Sequence, residues 1–372
     1  MTDTALRHPS PSAATPLEPE TPPTSVADDA SARRSGRLWR LALLSVLSLV
    51  TVLALGTVAV GLWVRHTLGG NVETFADPFA DLPARAPQQA VEGGREPATN
   101  FLVLGSDSRI SAGDPSQWEI GAQRTDAIMI VQVSGDRESV SVMSIPRDSW
   151  VEIPGHGQAK INAAYSYGGP SLTIQTVEQL TGIHIDHVIV ADFESFTNLT
   201  DEIGGVTINL KTPQTVAGTD FHAGAQLLNG EQALAYARER KTLPGGDFDR
   251  INRQQAWMRA IVSQVFNSGI LSDPTRLYSF LSAVTSTMAV DEGFTIDEMQ
   301  NLALGMRGVR SADIRFMTVP TAGTDMSNDG QSIVNLDPDA STPLFEAFTA
   351  DTVGEYLEAN PDVVALLPAT VN

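Results

Sequence analysis

His187-Val-Ile-Val-Ala191 and Val206-Thr-Ile-Asn-Leu210 are short apolar runs, and each stands next to a stretch with helical spacing, at about 171–181 and 193–202. Short runs rich in β-branched residues read as strands. Strands that alternate with helices in this way indicate an α/β layered domain. Working outward, Asn100–Gly105 reads as the first strand. A hairpin follows, with Ala127–Val133 and Ser139–Ile145 joined by Ser-Gly-Asp-Arg-Glu. Beyond residue 270 come helical patterns at about 274–288 and 295–307, strand-like Ile314–Val319 and Ser332–Leu336, and a short helical end. No internal repeat is evident.

Asp247 to Asn267 carries the clearest helix. Phe248, Ile251, Gln255, Met258, Val262 and Val265 step by three and four residues, which makes one stripe for the core. Arg250, Arg253, Gln254 and Trp257 gather on another face, roughly 120° away. Upstream, Arg238 and Arg240 are two apart and cannot share a helix face. They point the same way only on extended chain, so the preceding helix is expected to end near Ala237. The four guanidinium groups repel one another unless an anion sits among them. Arginine's planar, permanently charged fork suits phosphate, so the cluster points to a pyrophosphate or polyphosphate ligand. The competing reading is a surface helix whose arginines pair with local Asp and Glu.

The background makes the cluster stand out, because the formal net charge is -20. Such an acidic body is a poor nucleic-acid binder, since phosphate contacts supply most non-specific affinity there. Arg outnumbers Lys 21 to 3, the bias of a GC-rich coding genome such as that of an actinobacterium. Cysteine is absent, which removes disulfides, thiol nucleophiles and thiolate metal ligands.

Residues 41–64 contain no charged side chain, and about 20 apolar residues span a bilayer core. Arg33, Arg34, Arg37 and Arg40 precede the run, while Arg65 and His66 alone follow closely. This asymmetry predicts a cytoplasmic N-terminus with the remaining chain outside. A cleaved signal peptide would have a shorter apolar region and a shorter leading tail. The expected organisation is a disordered, Pro-rich cytoplasmic tail (1–40), a transmembrane helix (41–64), a linker (65–97), a main folded domain (98–270), and C-terminal helices and strands (271–372) completing or extending it.

Motifs fall at the expected strand ends. Leu104-Gly-Ser-Asp107-Ser-Arg109 closes the first strand, Arg124-Thr-Asp126 opens the second, and Ile145-Pro-Arg147-Asp148 closes the third. Side chains at strand ends line the ligand crevice in α/β folds. Two aspartates beside a pyrophosphate suit a hard cation. Taken singly, Asp107 reads equally as a turn residue, Asp126 as a partner of Arg124, and Arg147-Asp148 as a solvated turn.

In order, Gly105-Ser-Asp107-Ser-Arg109, Arg124-Thr-Asp126, Ser144-Ile-Pro-Arg147-Asp148, Lys160-Ile-Asn162-Ala-Ala-Tyr165, Gly204-Gly205-Val206, Tyr236-Ala-Arg238-Glu-Arg240 and Asp249-Arg250 through Arg253-Gln254-Gln255 closely resemble the LytR–CpsA–Psr family. The match covers roughly residues 98–266. The resemblance implies an α/β sandwich: a central mixed β-sheet flanked by helices, with an apolar cavity for a lipid tail. It implies a phosphotransferase that moves a glycopolymer from a polyprenyl-pyrophosphate carrier to a hydroxyl of peptidoglycan at the cytoplasmic membrane. By motif position, Asp107 and Asp126 resemble the carboxylates that organise Mg²⁺, with Mn²⁺ as a substitute. Arg147, Arg238, Arg240 and Arg250 resemble the phosphate-binding arginines. Gln254 matches a polar partner in that pocket, and Arg253 is a less direct match. The long Ile110–Gln123 insertion departs from the pattern and leaves open how Asp107 approaches Asp126. Two other readings remain: a pyrophosphohydrolase with water as acceptor, and a regulator. A DNA-binding regulator would need a cytoplasmic binding element, and residues 1–40 offer only a Pro-rich tail with a few arginines.

Overall fold

The computed structural model describes residues 73–80, 82–83, 85–88, 96–106, 125–216, 218–239, 247–270 and 273–371, with the backbone alone described at Asp126, 192–195, Asp247, Pro274 and 285–287. The chain divides into two units, Met1–Leu62 and Trp63–Asn372, and all described residues belong to the second. The expected membrane segment lies outside the described residues. Among those, no helix is long and apolar enough to cross a membrane.

In chain order the strands are β1 (Glu73–Phe75), β2 (Thr99–Ser106), β3 (Thr125–Val133), β4 (Val140–Ile145), β5 (Trp150–Ile153), β6 (Gly157–Lys160), β7 (His187–Asp192) and β8 (Val206–Leu210). There follow β9 (Gln214–Val216), β10 (Thr219–Phe221), β11 (Gly224–Leu228), β12 (Met288–Asp291), β13 (Ile314–Thr318), β14 (Thr321–Met326) and β15 (Ser332–Leu336). The helices are α1 (Ala163–Thr181), α2 (Phe193–Glu202), α3 (Gly230–Arg238), α4 (Asp247–Asn267), α5 (Pro274–Thr287), α6 (Ile296–Gly305), α7 (Pro338–Thr349) and α8 (Val353–Ala359).

Among the described residues, seven strands form one sheet in the order β1-β12-β7-β2-β3-β4-β13. The pairs β1/β12, β7/β2 and β4/β13 are parallel and the other three antiparallel, so the sheet is mixed. Alternation along each strand sends side chains to opposite faces. Leu102, Leu104, Ile128, Ile130, Met143 and Ile145 pack on one face with Ile174 and Val177 of α1 and Leu344 and Phe348 of α7. Phe101, Met129, Val133, Val140 and Val142 pack on the other face with Phe316 of β13 and Met258 of α4. Burial of both faces explains why these strands read as near-continuous apolar runs.

A second core joins α2, α3 and α4 to the β8/β11 hairpin through Leu199, Val206, Tyr236, Trp257 and Ala260. Val206–Leu210 therefore pairs with β11 and not with the central sheet. The turn into β8 needs glycine: Gly205 has φ 91°, and an added Cβ would meet the Leu228 carbonyl oxygen at 2.8 Å.

Some described residues within the stretch expected as a linker (65–97) are part of the fold, which corrects that expectation for them. Glu73–Phe75 pairs with β12 at the sheet edge. Arg85 donates to the buried Glu178 carboxylate at 3.0 and 2.7 Å, and the Ala86 N–H donates to it at 2.9 Å. A short strand and a single arginine carry no periodicity, so the sequence pattern did not mark them. The C-terminal third also supplies two sheet strands, β12 and β13.

Candidate active site

Ser106 ends β2 and pairs with Thr125 on one side and Asp192 on the other. Its successor Asp107 and the Ile110–Gln123 insertion lie outside the described residues. The β2/β3 register slips between Gly105↔Ala127 and Ser106↔Thr125, which makes Asp126 the extra residue of a β-bulge. Bulges bend a strand, redirect side chains and recur beside active sites. By backbone position, Asp126 thus stands at the strand end beside Ser106. Asp192 closes β7 at the same edge, a carboxylate position the sequence reading missed by ending that strand at Ala191. Its signal was an Asp closing an apolar strand, the same pattern that marked Asp107.

β4 runs antiparallel to β3 and ends at this edge, leading into Pro146-Arg147-Asp148. The Asn162 N–H donates to the Arg147 carbonyl at 3.2 Å, and the Ile161 N–H to the Ser149 carbonyl at 2.8 Å. Asp148 lies between two cations, 3.0 Å from Lys160 Nζ and 3.7 Å from Arg147 Nε. The Lys160–Asn162 motif thereby fixes the arginine-bearing turn.

Helix α4 spans the residues its periodicity predicted. Gln255 Nε2 donates to Ser144 Oγ at 2.7 Å and to the Met317 carbonyl at 2.8 Å, near the ends of β4 and β13. Further along, Arg259 donates to the carbonyls of Leu367 and Pro368 at 3.2 and 2.8 Å, and the Leu367 N–H donates to Phe316. The helix therefore runs from the strand-end edge back across the sheet, with its N-terminus at the edge. Arg250 precedes Gln254 by one turn, about 6 Å along the axis, which sets it toward the strand-end side of the Gln255 contact. Its side chain is buried at 2% exposure. The positive end of the helix dipole adds to the anion preference of that edge.

The arginines read together as one set occupy different environments. Arg238 is exposed at the end of α3, and the chain turns extended at Glu239 (φ -65°, ψ 136°). The helix thus ends one residue beyond Ala237, and Arg240 lies outside the described residues. Arg253 is 0% exposed. It donates to the Tyr236 carbonyl at 3.1 Å and to Gln214 Oε1, and its guanidinium lies 4.5 Å from the centre of the Tyr236 ring. Burial lowers its pKa, partly offset by Tyr236, Glu239 and Asp249. Burial likewise raises the Tyr236 pKa, against the nearby Arg253 charge. A guanidinium committed to protein acceptors does not serve phosphate, so Arg253 is a positioning residue. It ties the end of α3 to α4.

Gln254 also lines a small, mainly apolar cavity of about 30 Å³. Gly105, Ala127 and Ala191, which are cross-strand neighbours, form its floor with Val103 and Met129, while Phe196, Trp257 and Met258 close it from the helices. Trp257 is fixed by its Nε1 donating to Thr200 Oγ1 at 2.9 Å and by edge contact with Phe196. A small apolar cavity thus adjoins an edge that carries carboxylate positions and guanidinium groups. That pairing suits an amphiphile with a phosphorylated head.

The LytR_cpsA_psr family model matches residues 76–347, and the chain belongs to that family. It is 33% identical over 304 residues to the cell wall biosynthesis protein LcpA of Corynebacterium glutamicum, an alignment spanning 71% of this chain and 57% of LcpA. It is 31% identical to TagU of Enterococcus faecalis, named polyisoprenyl-teichoic acid–peptidoglycan teichoic acid transferase, over 78% of this chain and 91% of TagU. The crystal structure of protein gbs0355 from Streptococcus agalactiae shares the fold, with a TM-score of 0.59 at 23% identity, over 69% of this chain and 88% of that one. The mixed sheet with flanking helices is the architecture of these structures.

Proposed function

We propose that this chain is a phosphotransferase that moves a glycopolymer from a polyprenyl-pyrophosphate carrier to a hydroxyl of peptidoglycan, leaving a phosphodiester link. The observation that carries the reading is the convergence at one sheet edge of the bulged Asp126 position, the Arg147 turn, buried Arg250 and an apolar cavity. The name of the Enterococcus relative supports the same class of donor and acceptor.

In this reading the isoprenoid parts Trp257 and Met258 to widen the small apolar cavity there, and the pyrophosphate lies at its mouth. Arg147, Arg238, Arg240 and Arg250 bind its oxygens, while Gln254 orients the phosphate nearest the lipid. The acceptor oxygen bonds to the sugar-linked phosphorus as the bond to polyprenyl phosphate breaks, and Asp107 or Asp126 takes the acceptor proton. Such transfer rests on positioning and charge neutralisation, with no protein nucleophile. Carboxylates at neighbouring strand ends fit a hard-cation donor set. Asp107 and Asp126 would hold the Mg²⁺ (or Mn²⁺), which would supply neutralising charge to the pyrophosphate. The domain acts outside the membrane from an anchor at 41–64, a reading supported by the arginines before Leu41.

The test is incubation of the purified protein with a lipid-pyrophosphate-linked glycan and peptidoglycan, followed by isolation of the polymer-linked product. Wild type should form the phosphodiester, and Asp107→Ala, Asp126→Ala and Arg250→Ala should not. Free phosphorylated glycan as the sole product would replace the transferase reading with a hydrolase.

A further inference from the structure

The β5/β6 hairpin springs directly from the Arg147-Asp148 turn and takes no part in the chemistry described above. Its inner face is apolar, with Val151 and Ile153 buried. Its outer face is different. Trp150 pairs across the strands with Lys160, and Glu152 with Gln158, so these four side chains share that face. Lys160 and Trp150 stand at the base, beside Asp148, while Glu152 and Gln158 are exposed nearer the tip. Trp150 Nε1 donates to Gln158 Oε1 at 3.0 Å, which holds the indole along the strip. At the tip, exposed His156 stacks on Tyr167, with ring centres 4.6 Å apart and planes 18° from parallel.

Helix α1 is broken to present that tyrosine. Its backbone is non-helical at Gly168 and Gly169, with Pro170 following, so Tyr167 ends a short separate turn. A Cβ at Gly168 would meet Leu172 Cβ at 2.6 Å, which makes glycine necessary at the break. Tyr167 remains 38% exposed although its neighbour Tyr165 is buried. Both routes to the aromatic pair start at the catalytic turn. One is the hairpin, about 13 Å from base to tip at roughly 3.3 Å per residue. The other runs through Asn162, whose N–H donates to the Arg147 carbonyl. The pair therefore keeps a fixed distance from Arg147.

We propose that the outer face of the β5/β6 hairpin, from Trp150 and Glu152 through Gln158 to the His156–Tyr167 pair, is a binding strip for the glycan strand of the acceptor. The inference rests on the transferase reading and names the acceptor side of its site. Sugar rings present an apolar C–H face to aromatic π-clouds, whose faces are electron-rich. Their equatorial hydroxyls and amides pair with carboxylate and carboxamide groups such as Glu152 and Gln158. A strip that begins at Lys160 and Asp148 leads a bound glycan hydroxyl toward the Arg147 turn.

The experiment measures binding of a soluble β-linked N-acetylglucosamine tetrasaccharide by titration calorimetry, alongside acceptor and donor KM in the transfer assay. Tyr167→Ala and His156→Ala should each weaken tetrasaccharide binding by about five- to tenfold and raise acceptor KM similarly, with donor KM unchanged. Tyr167→Phe, which keeps the ring, should behave as wild type. Tetrasaccharide binding equal to wild type in Tyr167→Ala overturns the strip. A lowered thermal midpoint with unchanged affinity of the folded fraction also overturns it, by making the stack a mere packing contact. Loss of binding in the variants where even wild type transfers nothing would keep the strip and sink the transferase reading instead.

Discussion

Arg250 and Arg253 lie three residues apart on one helix and are both buried, at 2% and 0% exposure, yet their surroundings divide them. Arg253 spends its donors on the Tyr236 carbonyl and Gln214 and stacks on the Tyr236 ring, whereas Arg250 lies toward the strand-end side of the Gln255 contact. Arg→Lys keeps the charge and loses the fork, so the two positions should fail differently. At Arg238, Arg240 and Arg250 the expected loss is about 1.5–3 kcal/mol per charge-assisted bond, roughly tenfold to 150-fold in transfer. Thermal stability should stay near wild type for exposed Arg238. At Arg253 the same change should first lower the denaturant midpoint, and transfer should fall with it as α3 loosens from α4. Rates and midpoints measured together decide the matter, and wild-type-like transfer by all the Lys variants would remove the phosphate forks. The sequence made a cluster of guanidinium groups legible because arginines are counted one by one. It did not show which of them is shielded, because the acceptors of Arg253 come from Gln214 and Tyr236, 39 and 17 residues away.

Helix α4 shows at the level of an element what periodicity can and cannot supply. Its bounds follow from spacing, and of its predicted stripe Ile251, Gln255 and Val265 are buried while Phe248, Met258 and Val262 are only partly so. The face carrying Arg253, Gln254 and Trp257 is buried as well, because the helix is covered by the sheet on one side and by α2 and α3 on another. A one-dimensional pattern records a single apolar stripe, and a second packed face built from polar residues looks like a surface. Gln255 was read within the apolar stripe, and its burial at 1% agrees, but its amide is a clamp on Ser144 Oγ, the Met317 carbonyl and Thr318 Oγ1. Gln255→Leu preserves size and removes the donors, leaving buried acceptors unsatisfied at a cost of about 1–3 kcal/mol. The urea midpoint should drop accordingly. An unchanged midpoint would mean that the sheet holds α4 without this clamp. The β5/β6 hairpin escaped the sequence reading for a simpler reason: strands of four residues offer too few alternations to see.

Both ends of the described chain are built into the whole molecule, and they constrain it in different ways. At the entry, Arg85 and Ala86 bind Glu178 at the end of α1, so the polypeptide approaching from the proposed anchor is fixed before β2 begins. A reporter fused after residue 70 should be active only outside the cell, and cytoplasmic activity would remove the envelope setting. At the other end, the segment after Leu366 crosses from one core to the other. The Leu367 N–H donates to Phe316 of β13, while Val371 exchanges hydrogen bonds with Asn209 and Lys211 at the end of β8. Arg259 of α4 holds the strap from beneath through the Leu367, Pro368 and Ala369 carbonyls, and burial lowers its pKa. The strap therefore links β13 of the central sheet to β8 of the second core across the helix that carries Arg250. Deleting residues 366–372 removes those bonds and exposes the donors of Arg259, while the seven-stranded sheet keeps its own ladder. Local openings of this kind take the least-supported unit first. Amide exchange in the truncated protein should accelerate along β8 and β11 and stay slow in β2 and β3, with transfer reduced because Arg238 and Arg253 rest on that second core. Arg259→Ala should reproduce the effect in milder form. Equal acceleration in β2, β3, β8 and β11 would show instead that the two cores unfold as one unit and that the strap merely adds to global stability.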